Sequence, residues 1–267
     1  MPRHRGTFKP EREEPYELSR SKVEKFVRCP ACFWLERARG VKFPSMPGFN
    51  LNTNTDILLK RDFGVYREKQ RPHPFMIQNG LEHLVPFQHE DMERWASAMH
   101  FGAENHFNTL HKETNILFGG GLDDVWHNRE TGELHIVDYK STAQGVNGPK
   151  NQPKPIDLEG PWKAGYKRQM DMYQWVMRGM GYQVSDIGYF VYVDGQHWGI
   201  NGMLDENPFT ATMKFSATLL TYQGNDAWVE DALRGIKKLL QQNTCPPHSE
   251  GCEEEIFLKG VLDAISG

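Results

Sequence analysis

The stretch from Ile116 to Ser141 limits this chain more than any other, because few folds accommodate it. Ile116-Leu117-Phe118 opens a strand. Gly119-Gly120-Gly121 follows, a run without side chains that permits a bulge or a close backbone approach. Leu122 to Trp126 resumes extended structure. Asn128-Arg129-Glu130-Thr131-Gly132 supplies a turn, and Leu134 to Tyr139 returns as a second strand. The expectation is a hairpin with acidic groups on both arms. Residues two apart on a strand share a face. Asp138 and Lys140 therefore project together, and strand pairing can bring Asp123 beside them. The same alternation turns Asp124, a rival for the role of Asp123, to the opposite face.

The remaining periodicity surrounds this hairpin with helices. Residues 1–18 are charged and Pro-containing and read as a mobile tail. Ser21 and Glu24 fit a capping box, and Val23, Phe26 and Val27 supply the apolar face of a helix that runs into Cys29-Pro30-Ala31-Cys32. Residues 43–54 read as loop. Asp56 to Lys69 is helical until Pro72 and Pro74 break it. Asp91 to Phe107 is a further helix, with Met92, Trp95 and Met99 on one side. After a Pro-, Gly- and Lys-rich loop at 147–161 come a helix (162–180), two strands (187–193 and 213–222) and an amphipathic helix (227–242). The class is α/β, a short mixed sheet flanked by helices. One domain over 19–255 is expected, with 256–267 as a C-terminal tail.

Composition sets the outer limits. At 267 residues with 38% hydrophobic residues the chain can bury a core. Thirty-one Lys and Arg against 35 Asp and Glu give a net charge of −4. That argues against a broadly basic nucleic-acid binder but leaves room for a basic cleft. No apolar run approaches the roughly 18 residues that span a bilayer, and the N-terminus lacks the apolar region of a secretory signal. A soluble, intracellular (cytoplasmic) protein with no membrane partner is the expectation.

The hairpin residues suit one chemistry. Phosphodiester hydrolysis needs an activated water, neutralised transition-state charge and a stabilised leaving oxygen. Mg²⁺ or Mn²⁺ held by carboxylates such as Asp123 and Asp138 can meet these needs. The Tyr139 carbonyl is a plausible further ligand, and Lys140 can orient the water and offset charge. Gly120-Gly121-Leu122-Asp123 followed by Val137-Asp138-Tyr139-Lys140-Ser141 resembles the G-x-x-D … D-Y-K-[ST] signature of RecB-like nucleases in the PD-(D/E)xK superfamily. Its third element, Q-x-x-x-Y, matches Gln169 and Tyr173, four apart and so on one helix face. The resemblance covers roughly residues 20–255. It implies a restriction-endonuclease-like core and metal-dependent hydrolysis of DNA, with exonuclease action on single-stranded or end-opened DNA as its usual mode. Gln169 and Tyr173 would position substrate. Glu68, four residues after Gly64, would complete the metal shell, although the family more often has His there. DNA repair, replication and CRISPR adaptation are compatible settings, each with a protein partner. One rival is a non-catalytic DNA-end or partner-binding module that keeps the fold. Another, a zinc hydrolase using His73, His83 or His89, lacks any matching spacing.

Four cysteines form two pairs, Cys29-x-x-Cys32 near the head and Cys245 and Cys252 near the tail. Four thiolates suit Zn²⁺ or an iron–sulfur cluster; reduced buried thiols and a disulfide are the other readings. Some RecB-like nucleases, among them CRISPR-associated adaptation exonucleases and the helicase-nuclease AddB, carry a [4Fe-4S] cluster closed by cysteines from both ends of the domain. The resemblance implies a similar closure here. The split differs from theirs, however, and His248 is a possible substitute ligand. Lys150, Lys154, Lys163, Lys167 and Arg168 could neutralise DNA phosphates, and Trp162 and Tyr166 could stack on unpaired bases.

Overall fold

The computed structural model describes residues 3–44, 48–144, 155–197 and 200–266. Its main sheet grows around strand β6 (Leu134–Thr142), whose first six residues are all buried. Antiparallel to it runs β5 (Asp124–Asn128), with Asp124 opposite Val137, as the turn at 128–132 requires. On its other side β7 (Ile187–Gly195) runs parallel, with Asp138 opposite Phe190. Parallel pairing needs a crossover, and helix α6 (Pro161–Gly179) lies within it. β8 (Phe215–Gln223) and the short β2 (Leu84–Pro86) close the edges, giving the order β2-β5-β6-β7-β8. This mixed sheet flanked by helices is the expected α/β, restriction-endonuclease-like architecture.

A second, three-stranded sheet is an addition to the expectation. It joins β1 (Tyr16–Ser19), β4 (Ile116–Gly119) and β3 (Asn108–His111), with β1 parallel to β4. Ile116-Leu117-Phe118 therefore does not extend the hairpin. Gly120, Gly121, Leu122 and Asp123 carry the chain from one sheet to the other.

Several local expectations are corrected. The segment taken as a mobile tail is packed: His4 is buried against Phe8 and Tyr16, and Arg3 pairs with the buried Glu17. Helix α1 (Arg20–Arg28) begins one residue early, with Ser19 at its N-cap and no side-chain capping bond. The Ser21–Glu24 box does not form, because Glu24 is held by Arg168. Helix α2 (Pro30–Arg39) continues past the first cysteines, with proline in its first turn. α3 (Asn50–Lys69) starts within the stretch read as loop. α4 (Pro74–Gln78) follows the prolines. The helix expected at 91–107 shrinks to α5 (Met92–Trp95), since His100 and Asn105 take left-handed conformations that no α-helix admits. α7 (Trp228–Leu240) is as expected, and the C-terminal tail contains a further helix, α8 (Glu253–Ser266), with no buried residue.

The sheet is packed on both faces. On one face α1, α6 and α7 enclose the larger core, including Phe33, Met172, Phe190 and Leu233. On the other, α3 sets Phe63 against Trp126 and Tyr139. Such aromatic pairs contribute roughly 1 kcal/mol each beyond the area they bury. Among the described residues no helix is long and apolar enough to cross a membrane.

Candidate active site and metal centre

The hairpin and α6 converge on one point. Asp123 directly precedes β5, and its Oδ2 accepts the Tyr139 backbone N–H at 2.9 Å. Asp138 is 1% exposed, and Gln169 of α6 donates to its Oδ1 at 2.7 Å. The Lys140 ammonium contacts Asp138 Oδ2. Tyr173, one helical turn beyond Gln169, reaches toward Gly120, where a Cβ would stand only 3.0 Å from its hydroxyl. At Gly121 a Cβ would lie 2.7 Å from the Ala98 nitrogen. The glycines thus let α6 and the chain after α5 close on the carboxylates. Asp123, Lys140, Gln169 and Tyr173 all line a cavity of about 290 Å³, together with Ser19 and Arg20.

Burial dominates the electrostatics. It pushes Asp138 up to about 7, aided by the adjacent Asp123 carboxylate and opposed by Lys140. It also pushes Tyr173 up to about 12, against the pull of Arg20. Two residues that the hairpin signature does not contain join the site from α3. Lys60 lies 2.9 Å from Asp56 Oδ2 and 3.5 Å from Asp123 Oδ1. Burial and the Asp123 charge hold Asp56 above the ordinary carboxylate value. Burial opposes the charge on Lys60, but Asp123 and Asp56 keep it above the usual lysine value.

Other expected residues lie elsewhere. Asp124 faces away from Asp123 and is occupied by Arg67 and by the Tyr139 hydroxyl. Glu68 lines a separate cavity of about 690 Å³ that touches the site at Asp123 and Lys60. The Tyr139 carbonyl accepts from Lys140 Nζ at 3.4 Å. Lys163 leans over the Tyr192 ring, 4.6 Å from its centroid; burial, and less strongly Lys140, lower its pKa. Lys167 reaches Glu159 at 3.5 Å. Arg168 makes a bidentate pair with Glu24. Tyr166 stacks beneath Lys140, and Trp162 is 80% exposed. Lys150 and Lys154 lie outside the described residues. His73 caps α4 and stacks on Phe63, while His89 stacks on Trp95. Sequence spacing missed Asp56, Lys60 and Arg20. The one local signal was the i, i+4 spacing of Asp56 and Lys60 on a predicted helix.

The second cluster joins the two ends of the chain. Cys29, Cys32, His248 and Cys252 bring their donor atoms within 4.8 Å of one another, the one such group among the described residues. His248 Nδ1 lies 3.5 Å from Cys29 Sγ and 3.3 Å from Cys32 Sγ, and Cys252 Sγ lies 3.2 Å from Cys32 Sγ. Cys245 is exposed and turns toward the Ala31 carbonyl at 3.9 Å. The expected set of four cysteines is thus corrected: His248 takes the place of Cys245. Burial raises the Cys29 thiol, but the Ser249 and Cys32 N–H groups and the neighbouring thiols outweigh it and bring it to about 6. Burial and the nearby Cys252 and Glu254 push Cys32 upward.

Both donor sets fit metal ions, of different kinds. The aspartates offer hard oxygen donors, and the buried Asp56 Oδ1 near them has no hydrogen-bond partner among the described residues, a chemistry that suits Mg²⁺ or Mn²⁺. Three sulfurs and an imidazole are soft and borderline donors. The family described as the PD-(D/E)XK nuclease superfamily matches residues 17–254. No curated protein matches the chain in sequence.

Proposed function

Because the chain belongs to the PD-(D/E)XK nuclease superfamily, we propose that it is a divalent-metal-dependent deoxyribonuclease, acting as an exonuclease on single-stranded or end-opened DNA. The convergence of Asp123, Asp138, Lys140 and Gln169 through direct contacts carries this reading. Asp123 and Asp138 would hold Mg²⁺ or Mn²⁺, which supplies Lewis acidity at the phosphate and lowers the pKa of a bound water. Lys140 orients that water and offsets charge on the phosphate. Gln169 fixes the Asp138 carboxylate, and Tyr173 bounds the cavity floor. Lys163 and Lys167 contact backbone phosphates, and Trp162 stacks on an unpaired base. The RecB-like resemblance supports work alongside a protein partner in repair, replication or CRISPR adaptation.

The cysteine cluster is read as a structural zinc site. Zn–S bonds of about 2.3 Å give a tetrahedron with donors about 3.8 Å apart, close to the spacing found here. A [4Fe-4S] cluster mounts each thiolate on a separate iron, which spreads the donors further. Metal analysis of anaerobically purified protein tests this: one zinc per chain is expected, and stoichiometric iron with visible absorbance would overturn it.

Cleavage of end-labelled single- and double-stranded DNA with Mg²⁺, Mn²⁺ or EDTA, in wild type and Asp138→Ala, tests the nuclease reading. Metal-dependent cleavage from ends, lost in the variant, is expected. Binding without cleavage by the folded, metal-loaded protein would favour a non-catalytic DNA-end module.

A further inference from the structure

Two cations, Lys140 and Arg20, line the catalytic cavity, and they differ in what holds them. The Lys140 ammonium lies against Asp138. Arg20, the first residue of α1, has no carboxylate within salt-bridge distance among the described residues. Its natural partner would be Glu24, four residues on and so on the same face of the helix. The two residues also border a shared smaller cavity of about 280 Å³, which leaves room for them to meet. Glu24 turns instead to α6, where Arg168 donates to both of its oxygens at 2.8 and 2.7 Å. The side chains of that pair are only 27% and 13% exposed, so solvent screens it less than a surface pair. Helix α6 thus brings Gln169 and Tyr173 to the site and, from the adjacent position, takes away the acid that would neutralise Arg20.

We propose that Arg20 binds a substrate phosphate inside the catalytic cavity, and that Arg168 keeps it available by holding Glu24 away. This rests on reading the site as a DNA-cleaving centre. The cavity's own carboxylates are engaged elsewhere, Asp123 by the Tyr139 N–H and Lys60, and Asp138 by Gln169 and Lys140. A half-buried guanidinium without a counter-ion calls for an anion from outside, and its planar fork can bond two phosphate oxygens at once. The first turn of α1 opens on the same cavity through Ser19, Arg20 and Ser21, and the positive end of the helix favours an anion there. The Tyr173 hydroxyl is near enough to feel the Arg20 charge and offers a further donor to the same group. The two arginines therefore have opposite tasks. Arg20 touches the substrate, while Arg168, although next to Gln169, works through Glu24.

The test is binding of fluorescein-labelled oligothymidylate to the full chain without added divalent ion, read by anisotropy across a range of salt. Arg20→Met should weaken binding about tenfold. It should also reduce the slope of log Kd against log salt by about 0.7, the share of one phosphate contact on a single strand. Unchanged affinity and slope overturn the phosphate role, and so does a lowered melting temperature with an unmoved slope. If Arg20→Met does not fold, Arg20→Gln removes the charge but keeps a donor, and carries the same expectation and the same overturning result. Arg168→Met should show the same loss, because Glu24 is then free to claim Arg20. Adding Glu24→Gln to Arg168→Met should restore affinity to within about twofold of wild type. A double variant as weak as Arg168→Met would make Arg168 itself a DNA contact and overturn its guarding role, as would wild-type binding in Arg168→Met alone. Steady-state cleavage with Mg²⁺ identifies the phosphate: a fall in kcat in Arg20→Met puts the scissile one at Arg20, and a rise in KM alone puts a neighbouring one there. Failure of the nuclease reading looks different, as wild-type protein that binds the strand in an Arg20-dependent way but does not cleave it with metal.

Discussion

The carboxylate site and the cysteine–histidine site solve opposite problems. At the cysteine site four donors already face one another, from α2 and its N-cap and from a segment more than 200 residues away. Four protein donors leave no coordination position for a substrate. At the carboxylate site Lys60 lies against Asp56 and Asp123, Lys140 lies against Asp138, and Asp123 opens onto two cavities. A closed set of soft donors suits a structural ion, while an incomplete set of hard donors keeps positions free for water and phosphate. Burial acts differently in the two places. It raises Asp138 toward neutrality, whereas at Cys29 local N–H groups overcome it.

The comparison can be broken at its strongest point first. Lys140→Ala should cut metal-dependent cleavage on the order of 10³-fold while leaving the melting temperature near wild type; retained activity would remove the chemical half of the contrast. Cys32→Ala should do the reverse. It should lower the melting temperature by about 10 °C and release the bound metal, while the folded fraction still cleaves; an unmoved melting transition would remove the structural half. A smaller effect is pH-dependent. Asp138 titrates near 7 in the folded protein but near 3.9 when unfolded. Between those values the folded state holds the extra proton, so metal-free stability should fall as pH rises from about 4 to about 7. Melting curves of Asp138→Asn should lack that component of the slope, and an identical slope would contradict the assignment. Trp162→Ala should weaken binding of single-stranded DNA by about 1–3 kcal/mol, measured by fluorescence anisotropy, with duplex binding less affected. The smallest effect is expected at Cys245→Ser, which should leave metal content and melting temperature unchanged; loss of metal would return Cys245 to the ligand set in place of His248.

The two sites were also unequally legible. The hairpin could be read from sequence because its determinants are local: a turn at 128–132, alternation along 134–140, and Gln169 and Tyr173 four apart on one helix. The identity of the fourth soft ligand could not. Cys245 and His248 are three residues apart in an irregular segment, and only the packing against α2 decides which turns inward. Asp56 and Lys60 were hidden for a related reason, since their nearness to Asp123 depends on how α3 lies across β6. The three-stranded sheet went unread because β1 and β3, the partners of the strand read at 116–118, have four residues each, too few to show a period. The N-terminal segment misled by composition. Its charges outnumber the few rings of His4, Phe8 and Tyr16 that fasten it down.

The strip from Gly119 to Gly121 has a consequence for how this protein can change over time. A Cβ at Gly119 would lie 2.2 Å from the Phe107 carbonyl oxygen and one at Gly121 2.7 Å from the Ala98 nitrogen, while one at Gly120 would press on the Tyr173 hydroxyl. At the first and last of these the obstacle is backbone, which cannot rotate out of the way. In a saturation-mutagenesis library these positions should therefore be as intolerant as Asp123 itself, although they supply no chemistry. Gly120, facing the far end of a side chain, should accept alanine most readily of the three. An alignment of variants that kept Asp123 would keep this strip with it, and would mistake a need for empty space for a need for a functional group.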